Sequence, residues 1–317
     1  MDNLTHTLVG AALAESGLGR RSALATATLL VAANLPDVDG ILYWLARPDL
    51  AYGFRRGWTH GILALALWPF LLVGAMLAWD RWVRRRLRPG AAPAVPRALL
   101  AVAFLGLLTH PLLDWFNTYG MRWLMPFSGR WSYGDVWFIA DPWVWLVLGV
   151  GWWRSRRRRQ RDAPHPARAA RAALAVVACY AAAMFVAGRI ARGVAERALA
   201  GHGLTAVRVM ASPEPLTPFR RRIVADVGAG YALGTVDFLR RPAFTADGEV
   251  VPKGDRAPEV ARAEREPAAA TFLRWARFPV FRVDTTRAST LVHIVDLRYA
   301  RAPGAGFGAL TVPIAGR

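Results

Sequence analysis

Apolar runs long enough to cross a bilayer, separated by short arginine-dense loops, set the strongest limit on what this chain can fold into. A bilayer core about 30 Å thick takes roughly 20 helical residues. The runs Ser22 to Ala46, Thr59 to Trp79, Arg97 to Phe116 and Arg171 to Arg192 meet that length. Trp137 to Trp153 is shorter and rich in tryptophan, and Leu4 to Leu18 is a mixed helix too short to span. All of these lie before about residue 192, although 54% of the whole chain is hydrophobic. The expected architecture is an α-helical integral membrane domain over 1–192, with about five or six hydrophobic helices. A small extracytoplasmic α+β domain over 193–317 follows it.

The net charge of +19 would suit nucleic acid, but its placement points to a membrane. Arg81, Arg84, Arg85, Arg86, Arg88 and Arg97 fall between two apolar runs, and Arg154, Arg156 to Arg159, Arg161, Arg168 and Arg171 between the next two. Such loops mark the cytoplasmic side, and contact with lipid headgroups is expected there rather than binding of nucleic acid. The expected location is therefore a bacterial inner membrane, crossed several times. The C-terminal domain is expected outside the cytoplasm. Arg47, Arg55 and Arg56, in the loop this arrangement places outside, run against the rule. The single Cys179 can form no intramolecular disulfide, and Met1-Asp2-Asn3 lacks the basic start of a cleavable signal peptide.

With the arginine loops inside, unusual polar residues collect at the opposite face: His6, Asp37, Asp39, His60, His110, Asp114 and Asp141. Ionisable side chains at membrane depth point to function by default. On a helix, His110 and Asp114 stand one above the other at i and i+4, where an imidazole and a carboxylate can share a metal ion. Pro111 is expected to disturb that helix and to leave His110 at the lip of a new turn. Asp141 precedes Pro142 and reads more readily as a helix cap. Trp44, Trp58, Trp115, Trp123, Trp131, Trp137 and Trp143 read as an interfacial aromatic belt.

Four short signatures stand in order along the chain. They are Asp2-Asn3-Leu4-Thr5-His6-Thr7-Leu8-Val9-Gly10, Asn34-Leu35-Pro36-Asp37-Val38-Asp39, Arg56-Gly57-Trp58-Thr59-His60 and His110-Pro111-Leu112-Leu113-Asp114 with Asn117-Thr118-Tyr119-Gly120. The set resembles the bacterial membrane-bound metal-dependent hydrolase family, the YdjM-like or DUF457 group. Arg274-Trp275-Ala276-Arg277-Phe278-Pro279 and Asp296-Leu297-Arg298-Tyr299 look like its longer members. The order of His, Asp, His and His-x-x-x-Asp is also similar, more distantly, to zinc-dependent phospholipase C. That likeness implies a helical metal site acting on phosphoesters, with His6, Asp37, His60, His110 and Asp114 as ligands. The full ligand set of those multi-zinc enzymes is not found, which leaves the number of metal ions open.

Three histidines with two or three aspartates suit Zn²⁺ first, and Mn²⁺ or Fe²⁺ given the carboxylates. Asp39 diverges from Asp37 and is open to two roles, general base or support of a ligand. Arg56 is a candidate to hold a phosphate bidentately, or else an interface arginine facing headgroups. Asn34, Thr59 and Asn117 are candidate supporting donors. The expected function is hydrolysis of a phosphoester, a lipid's among them, at the outer face of the inner membrane. The alternative is a non-enzymatic membrane scaffold or transporter-like protein with a structural His/Asp cluster. A regulatory protein holding DNA or a cytosolic partner through its arginine loops is a third, weaker reading.

After residue 193 the pattern changes. Val207 to Ala211, Arg222 to Val227, Val280 to Asp284, Leu291 to Tyr299 and Leu310 to Ile314 read as strands, and Pro258 to Arg277 as a helix interrupted at Pro267. No nucleophile, phosphate loop or second metal motif stands out there. His293 reads as packed or surface-facing, and His165 and His202 as solvated.

Overall fold

The computed structural model describes residues 1–45, 52–239, 243–286, 289–300 and 306–314. Two compact units form: Met1–Asp39 with Arg56–Val186, and Gly40–Arg55 with Ala187–Arg317.

The first unit is helical. α1 covers Asn3–Glu15 and α2 Ala25–Ala32; a 3₁₀ segment Leu35–Ile41 then carries the chain into the second unit, to which α3 (Leu42–Leu45) belongs. α4 covers Ile62–Trp79, α5 Pro96–Phe116, α6 Pro142–Gln160 and α7 Arg168–Gly201. Three of the described helices are long and apolar enough to cross a membrane: Ile62–Leu87, Pro96–Phe116 and Arg168–Gly201. The expected count of five or six is not confirmed among the described residues, where two of the apolar runs differ from a single spanning helix. Ser22 to Ala46 is not one helix: α2 stops at Ala32, and the chain around Asn34, Pro36 and Gly40 tightens into the 3₁₀ segment. Trp137 to Trp153 enters as a loop, because the helix begins only at Pro142, and its far end carries Arg154 and Arg156 to Arg159.

Small residues let α1, α2 and α5 approach closely. A Cβ on Gly10 would lie 3.1 Å from the Ala33 Cβ, and one on Gly106 would lie 2.8 Å from the Ala32 Cβ. His6 and Gly10 are one turn apart on α1, as are Gly106 and His110 on α5. The two glycines therefore draw both histidine-bearing turns onto the end of α2. α1 is fixed further by Asp2, which caps it and accepts from the Thr5 backbone N–H at 3.0 Å. Trp145 on α6 donates to Thr5 Oγ1 at 2.9 Å. Beneath them Val9, Ala12, Leu113, Trp137, Leu148 and Val177 form one buried apolar cluster. Leu29, Ala32, Leu99, Ala103, Leu107 and Leu72 form another.

Helix α5 runs through Pro111 without a break, so His110 sits inside it rather than at a lip. Both residues are buried there, and packing on all sides compensates the lost backbone donor. Trp137 is 1% exposed and stacks on Tyr180, so it belongs to the core and not to a belt, whereas Trp58 and Trp143 are each half exposed. Arg47 and the Trp44 side chain lie outside the described residues.

The second unit holds two antiparallel sheets. β1 is Arg208–Glu214, β2 Thr217–Asp226, β3 Gly230–Asp237, β4 Phe244–Ala246 and β5 Val251–Pro252, in the order β1-β2-β3-β4 with β5 also on β3. Helices α8 (Pro258–Ala263) and α9 (Pro267–Trp275) lead to β6 (Pro279–Thr285), β7 (Thr290–Asp296) and β8 (Ala309–Ile314), ordered β6-β7-β8. Strand β3 has no counterpart among the sequence-predicted strands. Its alternation is broken by glycine at 230 and 234, where an added Cβ would meet a neighbouring backbone oxygen at 2.5 and 2.4 Å. The last turns of α7, through Ala191, Ala195 and Leu199, pack on Val209, Ile223, Ala225 and Val236. One helix thus passes the expected boundary at residue 193 and supplies part of this unit's core.

The motif residues of the C-terminal region build an aromatic socket. The Trp275 and Tyr299 rings stack at 5.5 Å, and the Arg298 guanidinium lies 4.5 Å from the Trp275 ring while pairing with Asp296 at 2.7 Å. Tyr52 seats in this socket, 4.5 Å from Trp275 and 5.3 Å from Phe272.

Candidate metal centre

The 3₁₀ segment after α2, the turn before α4 and the C-terminal turns of α5 converge on a buried polar site. Four side chains bring one donor atom each to a common point, all within 4.8 Å of one another: Asp37, His60, His110 and Asp114. His60 Nε2 and His110 Nε2 face each other at 3.2 Å. Asp37 Oδ1 lies 3.8 and 3.7 Å from these two nitrogens, and Asp114 Oδ2 lies 3.4 and 3.7 Å from them. A tetrahedral ion with ligands at about 2.0–2.1 Å separates its donor atoms by about 3.3 Å. The observed spacings lie around that figure.

The imidazoles are oriented from behind. His110 Nδ1 is 2.7 Å from the Ala33 carbonyl oxygen, which can only accept, so Nδ1 carries the proton and Nε2 offers its lone pair. His60 Nδ1 is 2.8 Å from Thr59 Oγ1, and that hydroxyl donates to Asp39 Oδ2 at 2.7 Å. The chain imidazole–hydroxyl–carboxylate fixes His60 in the same tautomer. Asp39 also accepts the Arg56 backbone N–H at 3.2 Å. It is 2% exposed, and these contacts, both to Oδ2, place it behind His60 as a support for that ring.

His6 stands beside the four and not among them. Its ring stacks on His110 with centroids 3.8 Å apart, and its Nε2 is 3.3 Å from Asp114 Oδ1. Arg56 is likewise turned inward. Its Nε lies 3.0 Å from Asp114 Oδ2, its Nη1 donates to Asn117 Oδ1 at 2.8 Å, and its guanidinium covers the Tyr119 ring at 4.4 Å. It is 3% exposed and packed against Asp114. The Met1 amino group also donates to Asp114 Oδ1. Asp141 lies apart: it caps α6 by accepting from the Trp143 and Val144 backbone N–H groups and takes the Tyr180 hydroxyl at 3.0 Å. Asn34 bonds Thr7 at 3.1 Å and ties α1 to α2. Tyr119 and the Ala33 carbonyl are site features that sequence reasoning missed. The first carries only the Asn-Thr-Tyr-Gly motif as a signal, and a backbone oxygen carries none.

The residues fit a divalent cation on their own chemistry. Asp114 Oδ2 and both ring nitrogens of His6 are buried without a hydrogen bond among the described residues, and two imidazole lone pairs point at each other. A cation at the shared point satisfies Asp114 Oδ2 and the two facing lone pairs of His60 and His110 together, and leaves the His6 ring outside the set.

The YdjM family, described as an inner membrane protein, matches residues 1–191. The chain belongs to that family. All four converging donors lie inside the matched region. The chain is also similar to the uncharacterized protein YfhP of Bacillus subtilis (strain 168), 25% identical over 158 residues, which are 46% of this chain and 43% of that protein. It thus spans less than half the length of this curated relative. No solved structure matches the chain.

Proposed function

We propose that this protein is a membrane-bound metal-dependent hydrolase that cleaves a phosphoester at the outer face of the inner membrane. The observation that carries the reading is the convergence of Asp37, His60, His110 and Asp114 at a buried point of ligand-like spacing. Two nitrogens with two carboxylate oxygens suit Zn²⁺ first, with Mn²⁺ and Fe²⁺ also compatible. When bound with an open position, such an ion lowers the pKa of a water and polarises a phosphoryl oxygen. The chain's own residues do the rest. Thr59 and Asp39 hold His60 in register, the Ala33 carbonyl holds His110, and Arg56 offsets the second charge of the carboxylate pair at Asp114. Asp37 is the most exposed of the four, with 9% of its side chain accessible, and is suited to shift between ion and substrate.

A lipid is the favoured substrate class. A cavity of about 500 Å³ lined by Val9, Thr109, Leu113, Phe116, Trp137 and Val177 runs beside the helices that carry His6, His110 and Asp114. Its walls suit an acyl or isoprenoid chain. Placement at the outer face, with the C-terminal unit outside the cytoplasm, follows from the arginine loops.

The alternative, a non-enzymatic membrane protein with a structural polar cluster, draws on one observation. Asp114 already meets Arg56 and the Met1 amino group, so its charge is offset without an ion. Elemental mass spectrometry of detergent-purified protein separates the two. Near-stoichiometric zinc, manganese or iron that disappears in His110→Ala and Asp37→Ala supports the centre, and metal-dependent turnover of phospholipids, isoprenoid phosphates or simple phosphodiesters supports the enzyme. No metal after reconstitution removes the hydrolase reading.

A further inference from the structure

The hairpin of α6 and α7 closes tightly at one end. A Cβ on Gly151 would lie 2.3 Å from the Ala173 Cβ, and Ser155 Oγ accepts the Ala170 backbone N–H at 2.8 Å. Beside this seam runs a groove of about 550 Å³ whose walls include Leu146, Val150 and Val176 and whose end is formed by Arg154, Arg158 and Arg168. Arg154 and Arg158 also border a second cavity of about 520 Å³, and Arg168 a third of about 800 Å³ that includes Arg20 and Arg171. The neighbouring Arg159 is paired with Glu15 at 2.8 Å. Among the described residues no carboxylate pairs with Arg154, Arg158 or Arg168.

We infer that this groove is a binding site for an anionic phospholipid, one acyl chain lying along the apolar walls and the phosphate held by Arg154, Arg158 and Arg168. Charge complementarity selects the occupant. Three guanidiniums without acidic partners at one end of an apolar trough match an amphiphile with an anionic head. A zwitterionic headgroup brings its own cation to the same three arginines and is disfavoured. The site is separate from the metal centre, uses none of its residues, and holds a resident lipid rather than a substrate.

Native mass spectrometry of the delipidated full-length protein, given phosphatidylglycerol or phosphatidylcholine with identical chains, tests this. Phosphatidylglycerol adducts are expected to exceed phosphatidylcholine adducts several-fold. The preference is expected to vanish in the triple variant R154Q/R158Q/R168Q and to persist in R85Q/R86Q, which removes charge from the other loop. Val150→Trp, which fills the trough and keeps the arginines, is expected to reduce adducts of the lipid, and covers the case in which the triple variant fails to fold. Equal retention of both lipids, or an unchanged preference in the folded triple variant, overturns the proposal. Binding of free glycerol phosphate as tight as that of the lipid also overturns it, because the trough then contributes nothing.

Discussion

Replacing Gly106 with alanine sets two effects of opposite sign against each other. Alanine in a helix interior is favoured over glycine by about 0.8–1.0 kcal/mol. Against this, the new Cβ would lie 2.8 Å from the Ala32 Cβ and 3.3 Å from the Leu29 carbonyl oxygen. An ordinary carbon–carbon contact of about 3.6 Å requires α2 to retreat by about 0.8 Å. Overpacking of this kind costs about 1–3 kcal/mol. The net change lies between roughly none and about 2 kcal/mol of destabilisation. The site is affected more than the fold. His110 is one turn along α5 and bonds the Ala33 carbonyl at 2.7 Å, so the same retreat stretches that bond to as much as roughly 3.5 Å, the edge of a hydrogen bond. Loss of such an orienting contact typically lowers metal affinity by about 10–100-fold. Chelator competition in detergent measures the affinity, and thermal unfolding of the metal-free protein measures the fold. A Gly106→Ala protein with wild-type metal affinity and a raised melting temperature would refute the close-approach argument.

Thr59→Val breaks the path from His60 to Asp39 and is expected to weaken metal binding by about 10–100-fold, with Thr59→Ser restoring most of it in the same competition assay. Metal affinity is expected to rise with pH, because two imidazoles must bind in their neutral form and release any proton they carry; titration calorimetry in buffers of different ionisation enthalpy reads that release, and a pH-independent affinity would count against histidine ligation. Tyr52→Ala empties the socket formed with Trp275 and Phe272, and removal of a buried aromatic ring costs about 3–5 kcal/mol. Limited proteolysis is expected to cleave the C-terminal unit faster in that variant, whereas an unchanged rate would show that Tyr52 contributes little to it.

The sequence by itself determined the membrane character and the cast of the site. Long apolar runs need no tertiary context to be read, because the bilayer acts on each helix through its length and hydropathy alone. Three of the four motifs likewise delivered Asp37, His60, His110 and Asp114, since few other pressures place ionisable groups within such runs. The β-strands with clear alternation, such as β7, were legible for the same local reason.

Tertiary structure decided what each polar group faces. Asp39 and Asp37 are two residues apart in one motif, yet the 3₁₀ segment sends one to Thr59 and the other toward the histidines. Arg56 is indistinguishable in sequence from a phosphate-binding arginine, and only the fold of the loop buries it against Asp114, Asn117 and Tyr119. His6 is nominated as a ligand by motif, and in the fold its ring stacks on His110. The burial of Trp137 also depended on neighbours. A hydropathy pattern records how much a residue avoids water, and not which surface it meets on leaving it.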